Sequence, residues 1–202
     1  MGEVGKLFVF EGPDGVGKTT LAKGFAEHLM ARGMDCAFMS FPGCEVGTLG
    51  HHVYQLHHDA AHFGIESIQP LSLQVLHIAA HIDAIETQIL PTLSRGRHVV
   101  LDRFWWSTWV YGSVAKANRN ALTAIIRAER ACWGEIQPSA AFLITRTKSL
   151  RELEVEGPWR ERCEAYGALA KVERGQYPVF VIGNDSVVDE ALAQIISITE
   201  IG

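Results

Sequence analysis

The chain has 202 residues, 48% of them apolar and 20% charged, with a formal net charge of −5. Such a composition excludes intrinsic disorder, and a chain of this length folds without a metal or disulfide staple. No apolar run approaches the ~18 residues of a membrane span, and the acidic balance argues against a dedicated nucleic-acid surface.

The first six residues, Met1 to Lys6, lack the basic, apolar and cleavage regions of a secretory leader, and Lys6 stands where a myristoylation signal has Ser or Thr. A first strand is expected at Leu7–Phe10, followed by a helix over 18–32 with Gly33 as its stop. A second strand, Cys36–Met39, precedes helices over 45–60 and 70–94. The third strand is Val99–Leu101, followed by helices over 106–116 and 120–134. Ala141–Ile144 and Val179–Ile182 are the last two strands, with helices over 158–173 and 186–198, the latter capped by Asp185 or Ser186. Each strand is nearly continuously apolar, as suits burial on both faces of a parallel sheet. Strands alternating with helices predict an α/β chain with a five-stranded parallel sheet between helical layers. No repeat or linker divides it, so residues 1–202 are expected to form one domain. The four cysteines, Cys36, Cys44, Cys132 and Cys163, form no C-x-x-C pair, which leaves a cytosolic protein with reduced thiols as the expectation.

The strongest motif runs from Gly12 to Thr19 and satisfies G-x-x-x-x-G-K-[ST], between a strand and a helix. Gly12, Gly15 and Gly17 allow a loop to wrap phosphate oxygens, and its amides, through Val16 to Thr20, face the anion at the positive end of a helix. Lys18 adds a mobile charge for the β- and γ-phosphates, and Thr19 offers a hydroxyl to Mg²⁺. The donor implied is Mg-ATP. Asp14 is either a turn residue or an acceptor for a hydroxyl of the second substrate.

A second acidic element, His98-Val-Val-Leu-Asp102-Arg103, is an apolar strand that ends in an acid. Ligands collect at the carboxyl ends of such strands. Asp102 is therefore expected to hold Mg²⁺ directly or through water, and Arg103 to grip a phosphate.

With these residues in view, the chain resembles the thymidylate kinase family of nucleoside monophosphate kinases. Phe10 to Thr20 resembles that family's phosphate loop, and Asp102-Arg-Phe-Trp-Trp-Ser107-Thr-Trp-Val-Tyr111 its D-R-[YF]-x-x-S-x-x-A-Y element. Ile89 to His98, Phe41-Pro42-Gly43 and Gln137-Pro138 with the fourth strand resemble weaker family features, so the likeness spans residues 7 to about 198. The resemblance implies a P-loop NTPase fold, a lid at about 146–162, and γ-phosphoryl transfer from Mg-ATP to a nucleoside 5′-monophosphate, a small-molecule nucleotide. It further implies that Phe41, Ser107 and Tyr111 line the acceptor, that Arg103 binds its phosphate and that Asp14 approaches its sugar. A homodimer is common in the family.

The departures fall on the acceptor side. With the alanines aligned, a stacking aromatic becomes Ile78 and a base-contacting arginine becomes Ile82, while His81 falls at an acceptor position. Core packing is the default for Trp105, Trp106 and Trp109, with Trp106, together with Phe41, as a candidate to replace the missing aromatic by stacking on the base. Gly15 stands where some members carry a loop arginine, so transition-state cations fall to the lid, where Arg151 or Arg160 is favoured over a purely solvated face with a Glu156–Arg160 pair. His58/His62 and His77/His81 have i,i+4 spacing, but no cysteine or H-E-x-x-H pattern joins them, so packed or solvated histidines are expected rather than a metal site. These features predict phosphorylation of a deoxynucleoside monophosphate such as dTMP. A deoxynucleoside kinase and a non-catalytic nucleotide-binding regulator stay open as alternatives.

Overall fold

The computed structural model describes residues 3–151 and 155–200. Its strands are β1 (Leu7–Glu11), β2 (Cys36–Ser40), β3 (His98–Asp102), β4 (Ala140–Thr145) and β5 (Val179–Gly183). Its helices are α1 (Lys18–Ala31), α2 (Leu49–His58), α3 (Pro70–Ala84), α4 (Leu90–Ser94), α5 (Trp105–Val114), α6 (Arg119–Cys132), α7 (Glu156–Glu173) and α8 (Val188–Glu200).

The five strands are parallel, in the order β2-β3-β1-β4-β5. β1, β3 and β4 are almost wholly buried, while the edge strands β2 and β5 are half-exposed. Continuous apolar runs therefore overstate burial at the edges, where one side of the strand has no neighbour. One apolar layer joins Leu7, Val9, Leu101 and Leu143 to side chains of α3, α5, α6 and α7. The other joins Phe8, Phe10, Phe142 and Ile144 to Leu21, Phe25, Ala191 and Ile195 of α1 and α8.

β1 lies between β3 and β4, so the chain reverses its direction of travel across the sheet there. The carboxyl end of β1 is the crevice in which such sheets bind ligands. The phosphate loop leaves β1 at that point.

Three local features differ from the expectations. The helix expected over 70–94 is continuous in course but widens into a π turn at Ile85–Ile89. Pro91 lacks an N–H and crowds the carbonyl one turn before it, and the wide turn accommodates both effects. The helix expected over 45–60 is shorter, beginning at Leu49 with the Thr48 hydroxyl accepting from His51 N. Asp185 does not cap α8; its carboxylate accepts from Thr147 N and Oγ1, each at 2.7 Å. Gly33 does close α1, with φ +80° and its N–H on Met30 O.

Candidate active site

The phosphate loop is built by close backbone approach. A Cβ on Gly12 would stand 2.4 Å from Ile144 O, and one on Gly15 would stand 2.0 Å from Ser149 Oγ. Both residues have positive φ, at +142° and +77°. A side chain is therefore excluded at Gly12 by the β4 backbone as well as by backbone angle, while at Gly15 it is the backbone angle that disfavours one and the Ser149 hydroxyl that would have to move. Val16 is buried, Gly17 caps α1, and Thr20 lies exposed in its first turn. Asn184, following β5, donates through Nδ2 to Val16 O at 2.8 Å and so ties the loop to the far edge of the sheet.

Lys18 is 5% exposed, and its Nζ donates to Pro13 O at 2.8 Å. Burial and the nearby Arg103 charge lower its pKa to about 8, against the raising pull of Asp14, Asp102 and Glu11. Thr19 Oγ1 donates to Asp102 Oδ2 at 2.5 Å. Asp102 Oδ1 is buried and has no hydrogen-bond partner among the described residues. A hydroxyl on an exposed residue beside a carboxylate with one uncommitted oxygen is a hard-oxygen donor set of the kind Mg²⁺ takes. Thr19 and Asp102 therefore fit the metal.

Asp14 is a gathering point for cations. Its Oδ1 accepts from Arg103 Nη2 in a short contact, its Oδ2 lies 3.2 Å from Arg151 Nη1, and Lys18 Nζ is 3.9 Å away. Burial alone would raise its pKa; the three cations outweigh that and hold it at about 2. Leu150 N donates to Gly15 O at 2.8 Å and Trp159 Nε1 to Asp14 O at 2.9 Å, so both sides of the lid grip the loop backbone. Of the lid residues 146–162, Glu152 to Glu154 lie outside the described residues.

Arg103 adopts φ +82°, a conformation rare for a residue with a side chain. Strain of this kind collects at functional sites, where surrounding structure holds it. Here the hold comes from Glu11, the last residue of β1. Glu11 is fully buried; its Oε1 accepts from Phe104 N at 2.8 Å and Ser107 N at 2.9 Å, and its Oε2 from Ser107 Oγ at 2.9 Å. A β1 carboxylate thus caps the positive end of α5. Burial pushes its carboxyl up, and Arg103 and the Ser107 hydrogen bonds pull it back. Ser107 Oγ also accepts from Arg103 Nη1 at 3.0 Å. The Tyr111 ring sits between the guanidinium groups of Arg103 and Arg162, at 5.7 and 5.3 Å. A glutamate inside an otherwise apolar strand was the signal available for Glu11, since that residue type is almost never buried unless paired.

Four residues expected on the acceptor and lid sides are placed as follows. Trp106 is fully buried and donates through Nε1 to Tyr177 Oη at 2.9 Å, so it is core and does not wall a pocket. Phe41 is 3% exposed and stacks on His81, with ring centroids 4.1 Å apart. His81 is 3% exposed, with Nδ1 2.8 Å from Oε2 of the fully buried Glu129. Arg160 is exposed and paired with Glu156 at 2.6 Å, away from the loop; of the two favoured lid arginines, Arg151 meets the site. His57 and His77, from α2 and α3, meet across the two helices, with Nδ1 of the first 3.2 Å from Nε2 of the second. They lie twenty residues apart, so no local spacing connects them.

Against known proteins, the thymidylate kinase family model matches residues 10–164. The thymidylate kinase of Bartonella henselae is 31% identical over 94% of this chain and 92% of its own length. That of Caldanaerobacter subterraneus subsp. tengcongensis is 37% identical over 55% of this chain; there the alignment spans about half, 51%, of the relative. Among solved structures, the thymidylate kinase of Ehrlichia chaffeensis superposes with a TM-score of 0.77, covering 98% of this chain and 99% of that one at 20% identity, a likeness of fold.

Proposed function

The chain belongs to the thymidylate kinase family, and on that premise we propose that it transfers the γ-phosphoryl group of ATP to a nucleoside 5′-monophosphate, dTMP being the acceptor its relatives' names indicate. An oxygen of the acceptor phosphate attacks the γ-phosphorus, the bond to the β-phosphate oxygen breaks, and ADP and a nucleoside diphosphate leave. The observation that carries this reading is the convergence of Lys18, Arg103 and Arg151 on Asp14, beside the Thr19–Asp102 pair. Three cations around one anion form a cradle for transferred phosphate, and such transfer is catalysed mainly by positioning and charge neutralisation.

In this reading the loop amides and Lys18 hold the donor phosphates, Lys18 exchanging Pro13 O for phosphate oxygens. Arg103, fixed by Glu11 and Ser107, holds the acceptor phosphate. Arg151 reaches the transferred group from the lid. Asp14 gives up its cations and turns to a hydroxyl of the acceptor sugar. Thr19 and Asp102 would hold Mg²⁺, which when bound would supply neutralisation of the phosphate charge.

The family supports a nucleotide kinase over the deoxynucleoside kinase and regulatory alternatives. Residues 1–202 act as one domain in this reading, with residues 146–162 as its lid. No helix among the described residues is long and apolar enough to cross a membrane; a cytosolic location is part of this proposal. Exposed Tyr54, Phe63, Ile65 and Val75 on and between α2 and α3 give a surface suited to a homodimer. The test is ADP release from Mg-ATP with each nucleoside and nucleoside monophosphate in turn, with Lys18→Ala as control. Stimulation by a monophosphate, lost in the variant, is expected; stimulation by nucleosides alone overturns the reading.

A further inference from the structure

The acceptor side holds histidines that no step above uses. His57 is exposed and His77 half-buried, and they meet at 3.2 Å through Nδ1 and Nε2 with their rings nearly perpendicular, at 80°. His58 stacks on His57 at 4.7 Å and fixes that ring. One turn along α3, His81 is held by Glu129 behind the pair, its ring centroid 6.4 Å from that of His77. The charge of Arg103 reaches both histidines, and that of Asp14 reaches His57. His81 in turn stacks on Phe41, whose N–H donates to Asp102 O at 2.9 Å, so contacts along α3 lead from the pair to the carboxyl end of β3, where Arg103 begins.

The chemistry of two linked imidazoles is restrictive. Desolvation and the neighbouring imidazoles lower His77 to about 3, and partial desolvation with His58 lowers His57, so both are neutral at pH 7. A neutral imidazole has one donor and one acceptor nitrogen. If His77 donates to His57, the outer His57 Nε2 carries a hydrogen and the outer His77 Nδ1 is bare. If His57 donates, both outer nitrogens reverse. In either state the pair presents one donor and one acceptor. Neither outer nitrogen has a hydrogen bond to any described residue. A metal would need further ligands, and among the described residues no three His, Cys, Asp or Glu side chains gather to hold one.

We propose that His57 and His77 act as one recognition unit for the acceptor, reading an adjacent acceptor and donor on the edge of a pyrimidine base. The inference rests on the kinase reading above. The partner chemistry is that of a carbonyl beside a ring N–H, which takes one hydrogen bond from the pair and gives one to it. His81, Phe41 and Glu129 form the fixed wall that sets its depth.

The test is steady-state kinetics with dTMP, dUMP, dCMP and dGMP on the full chain and on His57→Leu, His77→Leu, His77→Gln and the double Leu variant. One lost neutral hydrogen bond corresponds to roughly tenfold in affinity. In His77→Leu, KM for the preferred monophosphate is expected to rise at least about tenfold, while KM for ATP and the melting temperature hold. Gln keeps a donor and an acceptor near the Nε2 position, so His77→Gln recovers part of the loss. Because the two rings work as a unit, the double variant loses little more than the worse single one. N3-methyl-dTMP, which lacks the ring N–H, loses a similar factor on the unmodified chain and little on His77→Leu. If KM stays within about twofold in both single variants, or rises equally for all four monophosphates, the pair does not read the base. If the unmodified chain phosphorylates none of the four, the kinase reading falls and the pair's role falls with it.

Discussion

The two sides of the cleft solve the same problem of holding an anionic ligand with opposite means. On the donor side, charge is dense and mutually neutralised: Lys18, Arg103 and Arg151 share one carboxylate on a loop pinned by Asn184, Leu150 and Trp159. Around α3, beyond Arg103, imidazoles stand beside a buried carboxylate, Glu129, whose Oε1 has no partner among the described residues. The contrast teaches that a phosphate needs fixed charge and backbone amides, which few sequences supply, whereas a base needs only a donor–acceptor edge, which many residues supply. The donor side is therefore constrained by chemistry and the acceptor side by packing.

Replacing Lys18 with Ala tests the charged side most severely. It should lower kcat/KM for ATP on the order of 10³-fold, the scale of a lost preorganised charge contact, as read by coupled ADP release. On the acceptor side the matching change is His81→Leu, which strands the Glu129 carboxylate in the core. It should cost about 3–5 kcal/mol of stability in urea unfolding, and His81→Leu/Glu129→Leu should recover most of that, since replacing both partners is often neutral or better. Arg151→Ala should lower kcat about 10²-fold with little change in acceptor KM; an unchanged kcat would mean that the Asp14 contact is only a surface ion pair.

A milder probe is pH. Lys18 titrates near 8 in the ligand-free chain because of burial and Arg103. Raising pH through that value removes its proton and with it the charge that meets phosphate. The kcat/KM for ATP should therefore fall above about pH 8, approaching tenfold per unit, in a profile taken at saturating acceptor. Arg160→Ala, which breaks only the exposed pair with Glu156, should leave kcat and stability within about twofold and 0.5 kcal/mol. A large loss there would return the lid role to Arg160.

The same contrast explains what could be read from sequence. All five strands are legible because apolar runs at strand length, between helical segments, have few other uses in a chain of this kind. Gly12, Lys18, Thr19 and Asp102 are legible because phosphate and metal restrict residue type and spacing together. Trp106 and Phe41 are ambiguous in sequence because an aromatic ring suits a core as well as a pocket, and their burial against Tyr177 and His81 comes from distant elements. His57 and His77 escape because their pairing depends on how α2 lies against α3. Glu11 falls between the two cases: its position is plain, but its partners, Phe104 and Ser107, come from a distant element.

The carboxylate of Asp14 has a consequence for ionic strength. Three cations facing an open cleft would attract a nucleotide with a steep dependence on salt. One of those charges is already cancelled by an anion covalently part of the loop. Nucleotide phosphate then displaces an internal counter-ion instead of ions from solution, so less of the binding free energy comes from counter-ions released to bulk. Affinity should decline with added salt more gently than the count of cations suggests, and Asp14→Asn should steepen that decline.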